Sequence, residues 1–302
     1  MEAAKLHGEI LKGYAASTPN EWERLALSNG IMEYITTIHY LEKYLPKNGV
    51  VADIGSGPGR YSLWLAQHGY DVVSVDPIEK SIKSLKARFA ARKLKKRLKG
   101  AYVGFAQSLE MLESKSFDAV ICLGGPISHI MEENQRKKAA AELIRIAKPG
   151  APIFVSVMGR FTIFGGTVST FQTDLDSRYT SKWTETGDYF GGYGFVPFHG
   201  FRPYELEGLF GNKVNLLART ALERFAYVQG SNKEATSQPC CTAKEHRQGR
   251  HDRSVRQSSA TYFSILEGIA MGKNTNNEVA AYVGLKETSL PIDYSKQHNP
   301  YP

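Results

Sequence analysis

Val50-Val51-Ala52-Asp53-Ile54-Gly55-Ser56-Gly57-Pro58-Gly59-Arg60 is the stretch on which the fold turns. A short β-branched apolar run holds an acid near its end, and three glycines alternate through a turn. Tyr61-Ser62-Leu63-Trp64-Leu65-Ala66 then repeats apolar residues at helical spacing. The pattern reads as strand, glycine-rich turn, helix. Glycines reach backbone conformations closed to other residues and let a ligand lie against the chain. The first helical turn adds unpaired N–H groups. The spacing is G-x-G-x-G, unlike the dinucleotide pattern G-x-G-x-x-G, and no Lys-Ser/Thr follows as in a phosphate-cradling loop. Asp53, two residues before the first glycine, would oppose a pyrophosphate and suits an ammonium group.

Tyr70-Asp71-Val72-Val73-Ser74-Val75-Asp76 is a second apolar strand that ends in an acid. In a doubly wound sheet the ends of neighbouring strands meet at one crevice, where Asp76 would accept hydrogen bonds from a ribose diol. A dinucleotide enzyme would use the same acid, and on these residues alone that alternative stays open. Asp53 to Gly59 followed by Asp76 resembles the class I S-adenosylmethionine-dependent methyltransferases. The resemblance implies an α/β fold, a Rossmann-like, doubly wound, mostly parallel seven-stranded sheet with an N-terminal helical cap and an insertion after strand 5. It implies S-adenosylmethionine as cofactor, held by Asp53, Gly55, Ser56, Gly57, Gly59, Asp76, Pro77, Ala106, Gln107, Leu123 and Gly124. The family commonly follows its third strand with an acid that holds the adenine amino group. This chain has Gly104-Phe105-Ala106, so the Ala106 backbone and the Gln107 or Ser108 side chains would substitute.

The resemblance runs over about residues 14–228. Residues 1–48 read as an amphipathic helical cap with Tyr14, Trp22, Arg24 and Tyr34 as candidate cap residues, or simply as helices packed on the sheet. A core follows at 49–228, with strand 50–54, helix 58–68, strand 71–75, helix 78–96, a third strand Ala101 to Ala106 and a fourth from Ser116 to Leu123. A helix from Glu132 to Ala147 leads to Lys148-Pro149-Gly150, the turn that the family places before its fifth strand, here Ala151 to Met158. Residues 159–200 alternate glycines with large aromatics and read as a lid over the methyl acceptor, or as a surface hairpin. Segment 229–302 is poorly defined, although Tyr262 to Met271 is apolar enough to supply a last strand or a short helix.

The chain of 302 residues carries a formal charge of +8, 42% apolar residues and three cysteines. That share supports a real core, and the cysteines show neither zinc-ligand spacing nor a disulfide framework. No apolar run is long enough to span a bilayer, and Met1-Glu2-Ala3-Ala4-Lys5 lacks the apolar core of a signal peptide. The expectation is a cytoplasmic protein with no membrane partner and no metal. Nine cations from Lys83 to Lys99 crowd one predicted helix and its exit. They read as a solvated face, or as a nucleic-acid docking patch. The oligomeric state is not legible.

Transfer of a methyl group from a sulfonium needs an acceptor held in line, water excluded and, for some acceptors, a base. His129, just past the fourth strand, is the candidate base. His199 is second, and Tyr189 or Tyr193 would orient an acceptor. The Asn-Pro-Pro-aromatic motif of amino-directed DNA and protein methyltransferases is absent after the fourth strand, which points to a small-molecule acceptor. The alternatives are an RNA or protein methyltransferase docking through residues 83–99, and a cofactor-binding protein without turnover.

Overall fold

Strands that are buried on both faces read as near-continuous apolar runs rather than alternating ones, and four of these sequences do: VVADI, DVVSVD, AVIC and PIFVSVM. The computed structural model describes residues 8, 10–16, 22, 28–160, 183–190, 196–222 and 261–268. After a helical stretch at 10–16, the order is α1 (Ser28–Tyr44), β1 (Val50–Ile54), α2 (Arg60–Gln67), β2 (Asp71–Asp76), α3 (Glu79–Ala91), β3 (Leu98–Val103) and β4 (Ala119–Cys122). It continues with α4 (Glu133–Ile146), β5 (Pro152–Met158), β6 (Asp188–Tyr189), β7 (Phe198–His199), α5 (Pro203–Phe210), β8 (Val214–Leu222) and β9 (Thr261–Gly268).

The main sheet has the order β3-β2-β1-β4-β5-β9-β8. Pairing is parallel from β3 through β5, and β9 runs antiparallel to both β5 and β8. The strand order reverses between β1 and β4, and ligands of open α/β sheets bind at the carboxyl ends beside such a point. Two cores flank the sheet. Ala52, Ile54, Val120, Val155, Leu143 and Phe210 lie in one, towards α4 and α5. Val51, Leu65, Phe89, Ile121, Phe154 and Leu41 lie in the other, towards α1, α2 and α3.

Several boundaries differ from the sequence expectation. Strand β4 starts at Ala119 because the Ser116 and Phe117 N–H groups donate to the Ile146 carbonyl at the end of α4, not to a ladder. Helix α3 stops at Ala91: Lys93 turns left-handed at φ 59°, and the Leu94 N–H reaches back to the Phe89 carbonyl. This is the usual way to satisfy the last carbonyls of a helix. Strand β3 covers Leu98–Val103 rather than 101–106, since residues 105–108 close into a turn with Ser108 N–H donating to Phe105. As the sheet's edge it leaves Tyr102 and Val103 exposed, which blurs the burial pattern.

Residues 261–268 form a strand, not a helix, and they sit between β5 and β8. Seven residues of β5 pair with it. Truncation after Leu222 therefore strips β5 of its neighbour on one side and leaves β8 without the strand it pairs with. We expect the truncated chain to lose cooperative unfolding in urea and to aggregate; a sharp, two-state transition at the full-length midpoint would contradict this pairing.

Candidate functional site

The glycine turn is gripped by the end of β2. Gly55 N–H donates to the Val75 carbonyl at 2.7 Å and Ser56 N–H to the same oxygen at 3.1 Å. The Asp76 carboxylate then accepts from Gly57 N–H at 2.8 Å through Oδ2 and from Ile78 N–H at 2.9 Å through Oδ1. Each carboxylate oxygen can accept a further bond. Gly55, Gly57 and Gly59 all take positive φ, at 77°, 52° and 95°. At Gly55 a side chain would strike Pro126 of the loop after β4, at 2.2 Å, so the two loops lie in direct contact. At Gly57 a Cβ would meet nothing within 4 Å, so the turn faces open space there. The Ser56 hydroxyl is buried and has no hydrogen-bond partner among the described residues. A buried hydroxyl left unmatched beside an open glycine cradle fits a polar ligand, because burying such a group without a bond is costly.

Asp53 is buried at the end of β1. It is 2% exposed and accepts from the Ser62 hydroxyl of α2, which also contacts Ser74 Oγ of β2 at 2.9 Å. Burial pushes its carboxyl up to about 7; the Ser62 hydrogen bonds oppose that shift and the nearby Asp76 charge adds to it. Asp53 thus braces strand, helix and loop from beneath. Pro77 and Ala106 lie in the loops that follow β2 and β3, both half-buried, as is Gln107. Ser108 donates to Glu110. Beyond β4, Leu123 is buried, and the exposed Gly124 donates its N–H to Ser156 Oγ at 2.8 Å.

Of the proposed acceptor-side residues, the structure joins Tyr14 to His129. The Tyr14 hydroxyl is 2.5 Å from His129 Nε2, and His129 Nδ1 is 3.0 Å from the Pro197 carbonyl. Burial pushes the His129 pKa down to about 4, against a small opposing effect of the Pro197 bond, so the ring is neutral near pH 7. Trp22 lands elsewhere: the Arg88 guanidinium of α3 lies 3.9 Å from its ring centroid and that of Arg92 5.8 Å away. Tyr34 packs over Tyr61 and against the Arg60 guanidinium. Arg24 and Tyr193 fall outside the described residues, as do 161–182 of the expected lid.

His199 and Tyr189 belong to a second small sheet, β6 paired with β7. His199 Nδ1 contacts Asp188 Oδ1 at 2.7 Å, and its ring meets Phe201 edge-on. Tyr189 packs with Phe198. Arg160, which follows β5 and is 3% exposed, ties this region together. It donates to the carbonyls of Gly200, Glu185 and Thr186 and pairs with Glu205 of α5. Sequence reasoning missed Arg160. Nothing short of its burial marks it out, because its partners lie 25 to 45 residues away. The basic stretch is in large part engaged within the chain: Lys83 with Glu79, Arg97 and Lys99 with Asp71, and Arg88 and Arg92 with Trp22.

Residues 51–150 match the family described as "Methyltransferase domain". A glycine/sarcosine N-methyltransferase of Parasynechococcus marenigrum is 30% identical over 137 residues, 45% of this chain and 47% of that one. Mouse glycine N-methyltransferase is 29% identical over 114 residues, 35% of this chain and 39% of its own. The chain thus spans less than half the length of these relatives. Among solved structures, a Burkholderia thailandensis 1,6-didemethyltoxoflavin-N1-methyltransferase, with its acceptor and S-adenosylhomocysteine bound, shares the fold at a TM-score of 0.55, 14% identity and 89% coverage of each chain. A methyltransferase of Methanosarcina mazei does so at 0.53, with 19% identity, covering 76% of this chain and 97% of that one.

The buried Asp53 carries a pH signature. Its carboxyl titrates near 7 in the fold and near 3.8 when unfolded, so the folded state holds the proton more tightly. The stability that this lends is full below about pH 4 and is lost as pH rises through about 7. Asp53→Asn keeps an acceptor for Ser62 but cannot ionise. Relative to the variant, the wild-type melting temperature should fall between pH 4 and 7 and then level off. A pH-independent difference would show that Asp53 does not titrate in this window.

Proposed function

The core of the chain belongs to the class I S-adenosylmethionine-dependent methyltransferases, and from that premise we propose that the protein binds S-adenosylmethionine over the glycine turn and methylates the nitrogen of a small molecule. The observation that carries the cofactor half is Asp76 beside Gly57, a carboxylate with acceptor capacity at the edge of an open cradle, at the reversal of strand order. Asp76 would take the ribose hydroxyls, and the unmatched Ser56 hydroxyl would find its partner on the methionine portion. Support for nitrogen comes from the partial relatives and from His129, which is neutral with both ring nitrogens in contact with protein groups, an arrangement that suits an acceptor needing no base in the transfer step.

When bound, the cofactor supplies an electrophilic methyl that passes to the acceptor lone pair as the sulfur–carbon bond breaks, leaving S-adenosylhomocysteine and a proton for solvent. The chain's own part is to hold the acceptor in line, keep water out and position both partners, which together account for much of the rate of such displacements. The loops after β1 and β4, in contact through Gly55 and Pro126, form the floor on which the two would meet.

Asp76→Ala should weaken S-adenosylmethionine binding by about 1–3 kcal/mol, the cost of unpairing buried hydrogen-bonding groups, and Gly57→Val should bind more weakly still because its branches enter the open cradle. Isothermal calorimetry that found both unchanged would remove the assignment. The second function, docking of RNA through residues 83–99, is tested separately. Neutralising Lys93, Lys95 and Lys96 should leave methyl transfer unchanged. A filter-binding assay showing tight RNA affinity, with a salt slope that becomes shallower in this triple variant, would favour RNA instead.

A further inference from the structure

Asp53 is a carboxyl set where a charge is hard to hold. It is 2% exposed, and its donors are the Ser62 hydroxyl and the Ser62 N–H in the first turn of α2. In the β1–β2 ladder Asp53 lies opposite Ser74, so the Asp76 side chain, two residues further along β2, is on the same face of the sheet. Burial opposes ionisation of Asp53 most strongly, and the Asp76 carboxylate adds to it. On the other side of β1, Cys122 ends β4, and its thiol is held protonated by burial and by the nearness of Asp53, so it brings no compensating charge. The Asp53 carboxyl therefore titrates at about 7, where one more charge nearby decides whether it keeps its proton. The glycine cradle is where such a charge would arrive. Asp76, which acts on Asp53, is also the acid that accepts from Gly57 N–H at the open edge.

We propose that Asp53 is a specificity-determining residue that tells the sulfonium cofactor from its thioether by-product, giving up its proton to solvent when S-adenosylmethionine is bound and regaining one when S-adenosylhomocysteine is left. The proposal rests on the methyltransferase reading. The two ligands differ by one methyl group and by the positive charge on sulfur, which is lost when the carbon–sulfur bond breaks and its electron pair stays on sulfur. Ionised Asp53 favours that positive charge, and protonated Asp53 does not. Contact is not needed, because charges act on each other over a distance at the low effective dielectric of a protein interior. The preference for cofactor over by-product is therefore small while Asp53 holds its proton and grows as pH rises through about 7. The same ionisation that costs the fold stability thus helps it to release its by-product.

Two measurements test this, and neither needs turnover. In full-length protein carrying 13C-carboxyl aspartate, the Asp53 signal, identified as the one absent from Asp53→Asn or moved in Ser62→Ala, should titrate at about 7 in the free protein. Saturating S-adenosylmethionine should lower that midpoint by more than S-adenosylhomocysteine does. A free-protein midpoint in the ordinary aspartate range, about 4, or equal shifts with the two ligands, would overturn the proposal. Calorimetry with each ligand is the second measurement. The ratio of the S-adenosylhomocysteine Kd to the S-adenosylmethionine Kd, taken relative to Asp53→Asn, should rise by roughly three- to thirtyfold from about pH 6 to about pH 8, as for opposite unit charges at an effective dielectric of about 20. Titration of the ligands' own amines is common to both proteins and cancels in that comparison. Near neutral pH, buffers of different ionisation heat should show that S-adenosylmethionine releases more protons on binding than S-adenosylhomocysteine. Ser62→Ala removes a donor that favours the ionised form, so it should raise the Asp53 midpoint and move the rise to higher pH, which keeps the test open where Asp53→Asn does not fold. The same ratio profile in wild type and Asp53→Asn, equal proton release with the two ligands, or an unmoved midpoint in Ser62→Ala would each sink the proposal. Binding of neither ligand would instead sink the methyltransferase reading and take this inference with it.

Discussion

The end of β2 holds the glycine turn, and whatever binds in the crevice depends on that grip. A turn with three left-handed glycines has little conformational preference of its own, since glycine pays the largest backbone entropy on ordering. Here that cost is offset by three hydrogen bonds from the turn's own N–H groups, and Ile78 beyond β2 adds a fourth to the same pair of acceptors. The Val75 carbonyl takes Gly55 and Ser56, and the Asp76 carboxylate takes Gly57 and Ile78. The carboxylate also sits at the N-terminal end of α3, where a negative charge is favoured. The same residue therefore shapes the cradle and presents acceptors to it.

Asp53 joins the elements on either side of the turn. A carboxylate at 2% exposure with a hydroxyl for its partner is an expensive feature, and the rise of its pKa to about 7 measures that expense. What it secures is a polar bridge through Ser62 from β1 to the first turn of α2, with Ser74 of β2 joined to the same hydroxyl. The strand, the helix and the neighbouring strand are locked where the chain turns between them.

The fold core was legible because its strands are buried on both faces and its turns are spelled in glycine. The motif from Asp53 to Gly59 and the acid at Asp76 located the cradle without any structure. Legibility faded wherever partners are distant in sequence. Strand β9 joins the sheet after the chain has left it at Leu222, and no local period separates a strand from a short helix in an eight-residue apolar run. Trp22 read as a candidate cap residue or as simple packing, and the structure sets it against Arg88 of α3 and Arg92 just beyond it, cations that an indole face attracts. For His129, position alone suggested a base. In the structure its two ring nitrogens face a carbonyl and a phenol, partners that no local pattern in the sequence announces.

The same logic separates the two histidines near the crevice. His129 faces a carbonyl and a phenol, neither of which carries charge, so burial acts on it almost unopposed and keeps it neutral. His199 faces Asp188 at 2.7 Å, with Glu205 at 4.0 Å from its other nitrogen and buried Arg160 shared with that glutamate. Removing Glu205 from this set would leave the buried Arg160 guanidinium without its carboxylate. These contacts join the end of β5, the β6–β7 pair and the start of α5. His199 is thereby tied to the elements around it by charged partners, whereas His129 is held by two neutral ones. A charged cluster holds its geometry through several mutually compensating contacts. A neutral pair holds its geometry through directed hydrogen bonds alone, with no charge to compensate.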